Sequence, residues 1–358
     1  MASAPMDSFL SKSDKSVRWA VVGTGSIAAS FAADIRRAAS ASLDAVCSRD
    51  ASTAAGFAQR FGPMRTYVDL ATMAEDSEID AVYVASPNSA HAAQVDALLS
   101  LGKPVLCEKT LTTSLADTEG LIAHAQTQGL LLMEGLWLLY LPAITRLRQA
   151  LADREIGEIR AVRGELAYHK PFNAGDRFYA PDLGGGALLD LGIYPIALTL
   201  SLFGQPLSID GSWSAAPTGV DASAAIALRY AGFQAALSCS FERTGRNLFV
   251  IEGETGTLIL DGPFLTARRL IRARGAAARL IAGGETVAAP PLLRRLATLV
   301  PGVRSETMSY EGSGLQFEIE AAGRAIRGGL TEEPTAPLAL SRSAATIIET
   351  IRSKAPRS

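Results

Sequence analysis

A glycine-containing segment near the start of the chain has the spacing of a nucleotide-binding turn. Residues 17–28 read Val-Arg-Trp-Ala-Val-Val-Gly-Thr-Gly-Ser-Ile-Ala, so a short apolar run enters Gly23-x-Gly25-x-x-Ala28 and a helical pattern begins at Ile27. Gly23 permits a tight turn, Gly25 lets the backbone approach a pyrophosphate, and Ala28 allows close packing of helix on strand. The N–H groups at the helix start then face the anion. The residues expected to contact a dinucleotide here are Gly23, Thr24, Gly25, Ser26 and Ile27.

The tip of the next apolar run bears on which dinucleotide is bound. This run, 43–47, lies at the spacing that a βαβ unit requires, and Ser48-Arg49-Asp50 follows it. Proteins that bind NAD usually carry an acid here, which binds the ribose 2′-hydroxyl. Ser48 can instead hydrogen-bond a 2′-phosphate, and Arg49 can pair with it as a permanent planar cation. The tip favours NADP. In the alternative, Asp50 binds the ribose, Arg49 is only solvated, and the cofactor is NAD.

The elements that would position these residues alternate between strand and helix over the first third of the chain. The predicted strands are short and apolar throughout, as in sheets that are covered on both faces. This alternation predicts a doubly wound parallel sheet, an N-terminal Rossmann domain over 17–140. The predicted strands are 17–22, 43–47, 81–85, 104–107 and 130–133. The predicted helices are 26–39, 51–61, 68–75, 91–101 and 114–128.

After Pro142 the pattern changes to one helix, 143–153, and then to longer strands. The clearest strand, Phe233-x-Ala235-x-Leu237-x-Cys239-x-Phe241, alternates apolar and polar residues with period two. With a helix over 186–203, this predicts an α+β domain over 141–339 that has a large, mostly antiparallel, open-faced sheet. A second subunit could cover the open face, so we expect a homodimer or higher homo-oligomer. The predicted strands are 159–168, 207–216, 221–230, 233–243, 247–252 and 256–260.

Three stretches stand apart from this pattern. Residues 1–16 are small and polar and predict a disordered leader. Residues 266–312 carry eight arginines among Ala, Gly and Pro, which predicts a long solvated surface insertion, with an acidic partner as the alternative. Residues 340–353 have one apolar stripe, which predicts that a C-terminal helix within 340–358 packs back on the body.

The composition argues against several functions. With 48% hydrophobic and 20% charged residues, the chain is typical of globular proteins. A net charge of −2 argues against nucleic acid or an anionic membrane as the partner, and Glu134 interrupts the most apolar run, 129–142. Three scattered cysteines indicate buried thiols in a cytoplasmic protein. Three histidines lie far apart, so we expect no metal site.

Further motifs follow the nucleotide-binding turn in a definite order. Asn-Ser-Ala-His spans 88–91, Gly-Lys-Pro-Val-Leu-Cys-Glu-Lys spans 102–109, and Gly-Gly-Gly-Ala-Leu-Leu-Asp-Leu-Gly-Ile-Tyr-Pro spans 184–195. Together these segments resemble the Gfo/Idh/MocA oxidoreductases over about 17–352. The chain looks most like the branch with dimeric dihydrodiol dehydrogenase and NADP-dependent D-xylose dehydrogenases. The 184–195 motif and Met-Glu-Gly-Leu-Trp at 133–137 carry this finer likeness.

The resemblance implies roles for individual residues. Lys109 matches a lysine that contacts both the substrate hydroxyl and the nicotinamide ribose. Asp190 and Tyr194 match the acid and the histidine-or-tyrosine of the second motif, so these three are the expected catalytic residues. Trp137 is expected beside nicotinamide and substrate, or else in the core. His169 is a candidate for the substrate pocket, or else a rim residue. The other residues expected to bind the cofactor are Ser86, Asn88, His91 and Glu108.

A lysine beside a tyrosine can supply acid–base chemistry. Oxidation of an alcohol needs a hydride path to nicotinamide and a base for the hydroxyl proton. The ordinary pKa of tyrosine, about 10, is too high for a base at neutral pH, and a nearby lysine cation lowers it. We therefore expect Tyr194 to be the base, with Asp190 orienting the substrate or holding Lys109. In the alternative, burial lowers the pKa of Lys109 and makes it the base.

The expected function is an NADP-dependent dehydrogenase or reductase that acts on a sugar, a polyol or a trans-dihydrodiol. The alternatives are a glycoside hydrolase that oxidises its substrate transiently with a tightly held dinucleotide, and a non-catalytic dinucleotide-binding regulator. Three features depart from the family pattern. Thr110 replaces the proline that usually follows Glu-Lys, Leu139 stands where relatives commonly have arginine, and 266–312 is longer and more basic than the usual connection. They bear on the peptide geometry at Lys109 and on contacts with the substrate.

Overall fold

The computed structural model of the chain describes residues 16–283 and 301–357. The predicted leader, apart from its last residue, therefore lies outside the described residues. The same is true of 284–300, which is the middle of the predicted arginine-rich insertion. The elements and contacts of the fold are those of the described residues.

The first domain is built on a six-stranded sheet in which every strand pairing is parallel. Its strands are β1 (Val17–Val22), β2 (Ala41–Cys47), β3 (Arg65–Tyr67), β4 (Ala81–Val84), β5 (Val105–Glu108) and β6 (Leu132–Gly135). They lie in the order β3-β2-β1-β4-β5-β6. The chain order reverses between β1 and β4, which opens a crevice at their carboxyl ends, where such sheets bind ligands. The predicted doubly wound sheet is confirmed, and the three-residue β3 is an addition to it.

Helices cover both faces of this sheet. On one face, Trp19 of β1 packs edge-on against Phe31, and on the other Val22 joins a cluster with Leu98. Because both faces are buried, the strands are apolar without alternation. The helix predicted over 26–39 is α-helical only as far as Asp34, and a 3₁₀ turn, Ile35–Arg37, completes it. The helices of this domain are α1 (Ser26–Asp34), α2 (Ala51–Phe61), α3 (Leu70–Glu75), α4 (Asn88–Ser100) and α5 (Leu115–Gln128).

The second domain contains an eight-stranded sheet in which only the β7–β10 pair is parallel. Its strands are β7 (Ile159–Ala167), β8 (Ser208–Ala215), β9 (Asp221–Arg229), β10 (Gln234–Ser240), β11 (Phe249–Gly253), β12 (Thr257–Leu260), β13 (Arg269–Ala273) and β14 (Arg304–Thr307). They lie in the order β14-β13-β12-β11-β7-β10-β9-β8. The prediction of a large, mostly antiparallel sheet is confirmed.

The inner face of this sheet packs on helices that the 184–195 motif begins. A π-helix, Leu188–Gly192, leads into α7 (Ile193–Phe203), whose first eight residues are all buried. Among the described residues, only Pro181–Phe203 is a helix long and apolar enough to cross a membrane, but 78% of its most apolar window is buried inside the protein, as expected for a core helix. The remaining helices are α6 (Pro142–Ala152), α8 (Gly275–Ala282), α9 (Leu315–Arg327) and α10 (Leu338–Arg352).

The arginine-rich segment contains regular structure that its composition does not predict. Strands β13 and β14 lie within 266–312 and extend the sheet at its β12 edge. Helix α8 buries Ile281 against Val250 and Ile259, so it covers part of the sheet face that was predicted to be open. The prediction of a wholly solvated insertion is therefore wrong for its described part. Leu270 and Ile271 are both buried and lie between Arg269 and Arg272, so the apolar pair is packed into the protein although arginines flank it.

Two helices near the end of the chain connect the domains. Helix α9, assigned to the second domain on sequence grounds, packs on α1 and the 3₁₀ turn of the first domain. Asp34 secures this contact, because its buried carboxylate accepts hydrogen bonds from the main-chain N–H groups of Ser313 and Gly314. Helix α10 packs against α5, α7 and β8, so it contacts both domains.

Candidate active site

The nucleotide-binding turn faces a cavity of about 670 Å³ that lies between the two domains. It lies at the carboxyl ends of β1, β2, β4 and β5, where the switch in strand order opens the sheet. The first domain contributes the turn and the β5 end, and the second contributes the segment after β7 and the start of the 188–203 helix. The predicted site residues that line it are Gly23, Thr24, Gly25, Ser26, Ile27, Ser48, Arg49, Ser86, Asn88, Glu108, Lys109, Asp190 and Tyr194.

The nucleotide-binding turn has the geometry that an anion requires. Gly23 has φ of +102°, and a Cβ there would lie 2.7 Å from the carbonyl oxygen of Ala85, so glycine is needed for two reasons. Gly25 is the N-cap of α1 and makes no side-chain hydrogen bond to the helix. A Cβ on Gly25 would meet nothing within 4 Å, so the space in front of the helix is open to a ligand. The uncapped N–H groups fit a pyrophosphate.

The three residues that follow β2 have different roles: Asp50 caps a helix, whereas Ser48 and Arg49 face the cavity. Asp50 caps α2, accepting hydrogen bonds from the Thr53 N–H at 2.7 Å and from the Ser52 hydroxyl. The Ser52 hydroxyl and the Thr53 N–H and hydroxyl lower the pKa of Asp50 to about 2. Ser48 and Arg49 line the cavity, whereas Asp50 does not. Arg49 forms no hydrogen bond or ion pair with any described residue. This arrangement suits a 2′-phosphate better than a bare ribose.

The three residues expected to be catalytic meet at the domain boundary. Lys109, just after β5, donates to the Oδ1 of Asp190 at 2.9 Å and to its main-chain carbonyl at 2.8 Å. The Lys109 Nζ lies 5.1 Å from the centroid of the Tyr194 ring. Asp190 and Tyr194 are separated by about one turn, which brings both to the face of the helix that meets Lys109. A cation, a carboxylate and a phenol thus converge on one part of the cavity lining.

The electrostatics of this cluster differ from the prediction made for Tyr194. Burial raises the pKa of Tyr194 to about 12, although the charge of Lys109 lowers it as expected. For Lys109, burial is the largest single influence and lowers the pKa, but the charge of Asp190, the hydrogen bond to it and the charges of Tyr194 and Glu108 together outweigh burial, so the net pKa is above the ordinary value. Asp190 keeps a lowered pKa despite its burial because of Lys109 and Arg177. At neutral pH the cluster therefore holds an ammonium ion, a carboxylate and an uncharged phenol.

Two further predicted residues, Glu108 and Trp137, lie next to the cluster. The Glu108 carboxylate accepts a hydrogen bond from the Tyr83 hydroxyl, and burial raises the pKa of Glu108. Trp137 is buried, does not line the cavity, and places its indole N–H 3.4 Å from the Tyr194 hydroxyl. Trp137 is thus placed to orient Tyr194, rather than to form a wall of the cavity.

The remaining predicted residues divide between the cavity and its surroundings. Asn88 donates to the Gly184 carbonyl at 3.0 Å and so links the domains. Both ring nitrogens of His91 point at main-chain carbonyls, with Nδ1 2.8 Å from the oxygen of Thr110 and Nε2 3.0 Å from that of Ser86. His91 is buried outside the cavity lining, and burial lowers its pKa. His169 is exposed, also outside the lining, with Nδ1 3.2 Å from the carbonyl oxygen of Glu242.

The residues of the cavity wall that sequence reasoning missed include four polar or aromatic residues of the second domain. They lie in the segment after β7, which carries no recognisable local motif, and only the fold brings them to Asp190. They are Tyr168, Lys170, Arg177 and Phe178.

One departure from the family pattern lies beside the cluster, and a second lies in the core. The peptide bond between Lys109 and Thr110 is cis, and the Thr110 hydroxyl donates to the Leu189 carbonyl at 3.3 Å. Leu139 is fully buried in the core. In the part of the chain that the structure describes, no group of three or more His, Cys, Asp or Glu side chains could hold a metal ion.

Comparison with known proteins identifies the family. Residues 17–136 match the model described as "Oxidoreductase family, NAD-binding Rossmann fold", and residues 144–259 match the "GFO/IDH/MocA C-terminal domain". The chain belongs to the Gfo/Idh/MocA oxidoreductase family. The predictions of the family and of an NAD(P)-dependent oxidoreductase are confirmed.

Individual relatives extend over most of the chain. Trans-1,2-dihydrobenzene-1,2-diol dehydrogenase of Mus musculus is 30% identical over 344 residues, covering 94% of this chain and 96% of that protein. The "scyllo-inositol 2-dehydrogenase (NADP(+)) IolU" of Bacillus subtilis is 34% identical over 254 residues, covering 68% of this chain and 76% of that protein. Among solved structures, KijD10, a 3-ketoreductase from Actinomadura kijaniata in complex with NADP and TDP-benzene, has a TM-score of 0.79 at 26% identity and covers 96% of this chain and 98% of its own.

Proposed function

We propose that this protein is an NADP-dependent oxidoreductase that interconverts a hydroxyl and a carbonyl group on a sugar, a polyol or a trans-dihydrodiol. One observation carries the proposal: the Lys109–Asp190 pair and Tyr194 converge on one part of a cavity that is also lined by an anion-binding turn. The cavity-facing Ser48 and Arg49, with Asp50 engaged in capping α2, support NADP over NAD. The named substrates of the relatives support the substrate class.

When bound, the nicotinamide would accept or supply the hydride. The part of this chain is to place a proton donor and a cation beside the reacting oxygen. Tyr194, an uncharged phenol at neutral pH because burial raises its pKa to about 12, is suited to donate a proton to the oxygen of a carbonyl that is being reduced. The Lys109 ammonium group would stabilise negative charge on that oxygen. Asp190 holds Lys109 through two hydrogen bonds and so fixes its position.

These protonation states bear on the expectation that Tyr194 is the base in alcohol oxidation. In the oxidation direction, a phenol with a raised pKa and a lysine with a raised pKa are both protonated before the substrate binds. Either group would need its pKa lowered in the ternary complex to accept the substrate proton. The reduction direction needs no such change, so we propose that carbonyl reduction is the faster direction at neutral pH.

The function is tested by cofactor binding and by absorbance at 340 nm with the purified protein. NADP⁺ and NAD⁺ are titrated by calorimetry, and aldoses, polyols and dihydrodiols are then offered with NADP⁺, and the matching ketones with NADPH. We expect tighter binding of NADP⁺ and a change in absorbance with at least one compound. Tight binding without a change in absorbance on any compound would contradict the proposal and favour the hydrolase or the regulator.

We further propose a cytoplasmic homodimer that forms through the outer face of the second sheet, with neither nucleic acid nor a membrane as partner. All three cysteines are free and buried, which suits a reducing compartment. The part of the outer face that α8 leaves uncovered carries small residues such as Ala225, Ala236 and Ser238, which allow close approach of another sheet. Ala236→Arg should therefore give monomers in light scattering, whereas Gln126→Arg, at an exposed position of α5 in the first domain, should not.

A further inference from the structure

The wall of the cavity that the second domain contributes carries two cations around one aromatic ring. The Lys170 Nζ lies 4.4 Å and the Arg177 Cζ lies 4.2 Å from the centroid of the Phe178 ring. All three residues line the cavity that holds Lys109 and Tyr194. The aromatic ring attracts both cations and so helps to fix their positions.

Few carboxylates neutralise the charges of Lys170 and Arg177. Among the described residues, Asp190 is the one carboxylate that pairs with either cation, but it is already paired with Lys109 at 2.9 Å and lies 3.5 Å from Arg177. Lys170 forms no ion pair within residues 16–283 and 301–357. Glu108, the other acid in the lining, is buried and accepts a hydrogen bond from Tyr83. The wall therefore carries uncompensated positive charge beside the reaction centre.

The segment that presents these cations is held by several interactions of its own. The Tyr179 hydroxyl donates to the carbonyl of Lys170 at 2.8 Å, and the Phe178 N–H donates to the Asp176 carboxylate at 3.1 Å. Phe178 also packs edge-on against Phe241, with ring centroids 5.5 Å apart. The backbone between Lys170 and Phe178 is thus tied to the body of the domain, so the two cations are presented by a structured segment.

We propose that the substrate carries an anionic group, a phosphate or a carboxylate, which Lys170 and Arg177 bind while the reacting carbon lies at Lys109 and Tyr194. This inference rests on the proposed function and specifies its substrate class. A neutral sugar or dihydrodiol would leave Lys170 without an ion pair and Arg177 with only its long contact to Asp190. A phosphate or a carboxylate would instead form charge-assisted hydrogen bonds with them, and the planar guanidinium can bind such groups through two parallel hydrogen bonds.

The test compares anionic and neutral forms of one sugar. D-glucose 6-phosphate, D-glucuronate and D-glucose are titrated by calorimetry into the NADP⁺-saturated protein, for the wild type and for the double variant Lys170→Met/Arg177→Met. The control is Arg160→Met, which removes an exposed cation outside the cavity. A Lys170→Arg variant, which keeps the charge, shows whether charge is the property required. Binding of NADP⁺ to every variant is measured in the same samples and confirms that each variant is folded.

We expect at least one anionic sugar to bind about tenfold more tightly than glucose. The double variant should lose this preference, with the dissociation constant for NADP⁺ changed by less than about twofold, while Arg160→Met and Lys170→Arg should retain it. The phosphate and carboxylate arms show which group is recognised. Equal affinity for all three sugars, or no binding of either anionic sugar, would overturn the inference. So would a double variant whose main loss is in NADP⁺ affinity, since the cations would then bind the cofactor pyrophosphate.

Failure of the proposed function gives a different result. In that case the wild type binds no NADP⁺, or changes absorbance at 340 nm with no compound of any charge. If neutral compounds change the absorbance at 340 nm while glucose 6-phosphate and glucuronate bind no more tightly than glucose, the oxidoreductase assignment stands and only the anionic substrate is excluded.

Discussion

The two ends of the cavity offer a ligand different kinds of contact. At the end formed by the nucleotide-binding turn, the ligand would meet main-chain N–H groups at the start of α1, and the side chains matter chiefly by being small. At the end formed by the second domain, the ligand would meet charged and aromatic side chains, Lys170, Arg177 and Phe178. Lys109 and Tyr194 lie between the two. The first end suits any dinucleotide pyrophosphate, whereas the second depends on the identity of each side chain.

Because the two ends differ in this way, substitutions at one end should change different properties from substitutions at the other. A backbone site tolerates most side-chain exchanges, so only residues at its rim, such as Arg49, select among cofactors. A side-chain site can change its ligand by one or two substitutions without any change in fold. Substitutions at the two ends should therefore affect cofactor and substrate separately, and substitutions between them should affect the chemical step.

The largest expected effect is at Lys109, where the two ends meet. Lys109→Met keeps the length of the side chain but removes the charge that would stabilise the reacting oxygen, so kcat should fall about a thousandfold. The dissociation constant for NADPH should change little, because the pyrophosphate is bound by the backbone. Single-turnover absorbance at 340 nm measures the first quantity and calorimetry the second. Lys354→Met, which removes a surface lysine, is the control, and a Lys109→Met enzyme with near-normal turnover would remove Lys109 from the reaction centre.

A somewhat smaller loss is expected for Tyr194→Phe. Without the phenol, water must protonate the product, and kcat for carbonyl reduction should fall about a hundredfold. In the wild type the raised pKa of about 12 keeps the donor protonated, so kcat for reduction should be flat between about pH 6.5 and 9.5 and should decline only as pH approaches that value. A decline with an apparent pKa near neutrality, lost in Tyr194→Phe, would show that the buried phenol ionises in the working enzyme.

The cofactor end is probed by Arg49→Ala. Loss of the guanidinium should weaken NADP⁺ binding by about tenfold to a hundredfold, because one charge-assisted contact to the 2′-phosphate is removed. Binding of NAD⁺ should be unchanged. Arg60→Ala, which removes a cation that stacks on Phe61 of α2 and does not line the cavity, is the matched control. Equal losses of NADP⁺ and NAD⁺ affinity would show that Arg49 does not distinguish the two cofactors.

The smallest effect concerns stability and lies outside both ends. Glu318 of α9 is fully buried, and both its carboxyl oxygens have no hydrogen-bond partner among the described residues. Burial, with the charges of Glu108, Glu134 and Glu333, raises its pKa well above the ordinary value. A raised carboxyl pKa means that the folded state loses stability as pH rises above the pKa of the unfolded chain. Glu318→Met should therefore stabilise the protein at pH 8 by about 1–3 kcal/mol, and by less at pH 5.

Urea unfolding at the two pH values measures this change. Glu320→Gln provides the control, since Glu320 lies on the same helix and accepts hydrogen bonds from Ser40. A loss of stability in Glu318→Met at pH 8 would show that the Glu318 carboxylate has a favourable partner.

The two ends of the cavity differ in how well the sequence predicts them, because one is formed by consecutive residues and the other by residues that are far apart in the chain. The nucleotide-binding turn is formed by consecutive residues, so its spacing alone indicates the strand, the turn and the helix. Lys109, Asp190 and Tyr194 are far apart in the chain and were found through the family resemblance. Their protonation states could not be predicted, because the dominant influence on Tyr194 is burial by surrounding elements. Lys170 and Arg177 were missed for a related reason, since only the folded chain brings them to Asp190.

One residue and one strand show the same limit. The family resemblance implies a position beside the cofactor for His91, but a resemblance does not reveal whether a side chain faces a ligand or its own backbone. In the structure the ring nitrogens lie 2.8 Å from the carbonyl oxygen of Thr110 and 3.0 Å from that of Ser86, so the ring faces the backbone. Strand β13 was missed because its arginines conceal apolar residues that are buried only once β12 and α8 are in place.

The Lys109–Asp190 contact joins the two domains, and this has a consequence for the timing of catalysis. Lys109 belongs to the first domain, Asp190 and Tyr194 belong to the second, and the Asn88–Gly184 hydrogen bond crosses the same boundary. A hinge motion wide enough to release the dinucleotide would break this ion pair and move the ammonium group away from the phenol. The reactive assembly then exists only while the cleft is shut, so that exchange of cofactor and transfer of hydride would exclude each other.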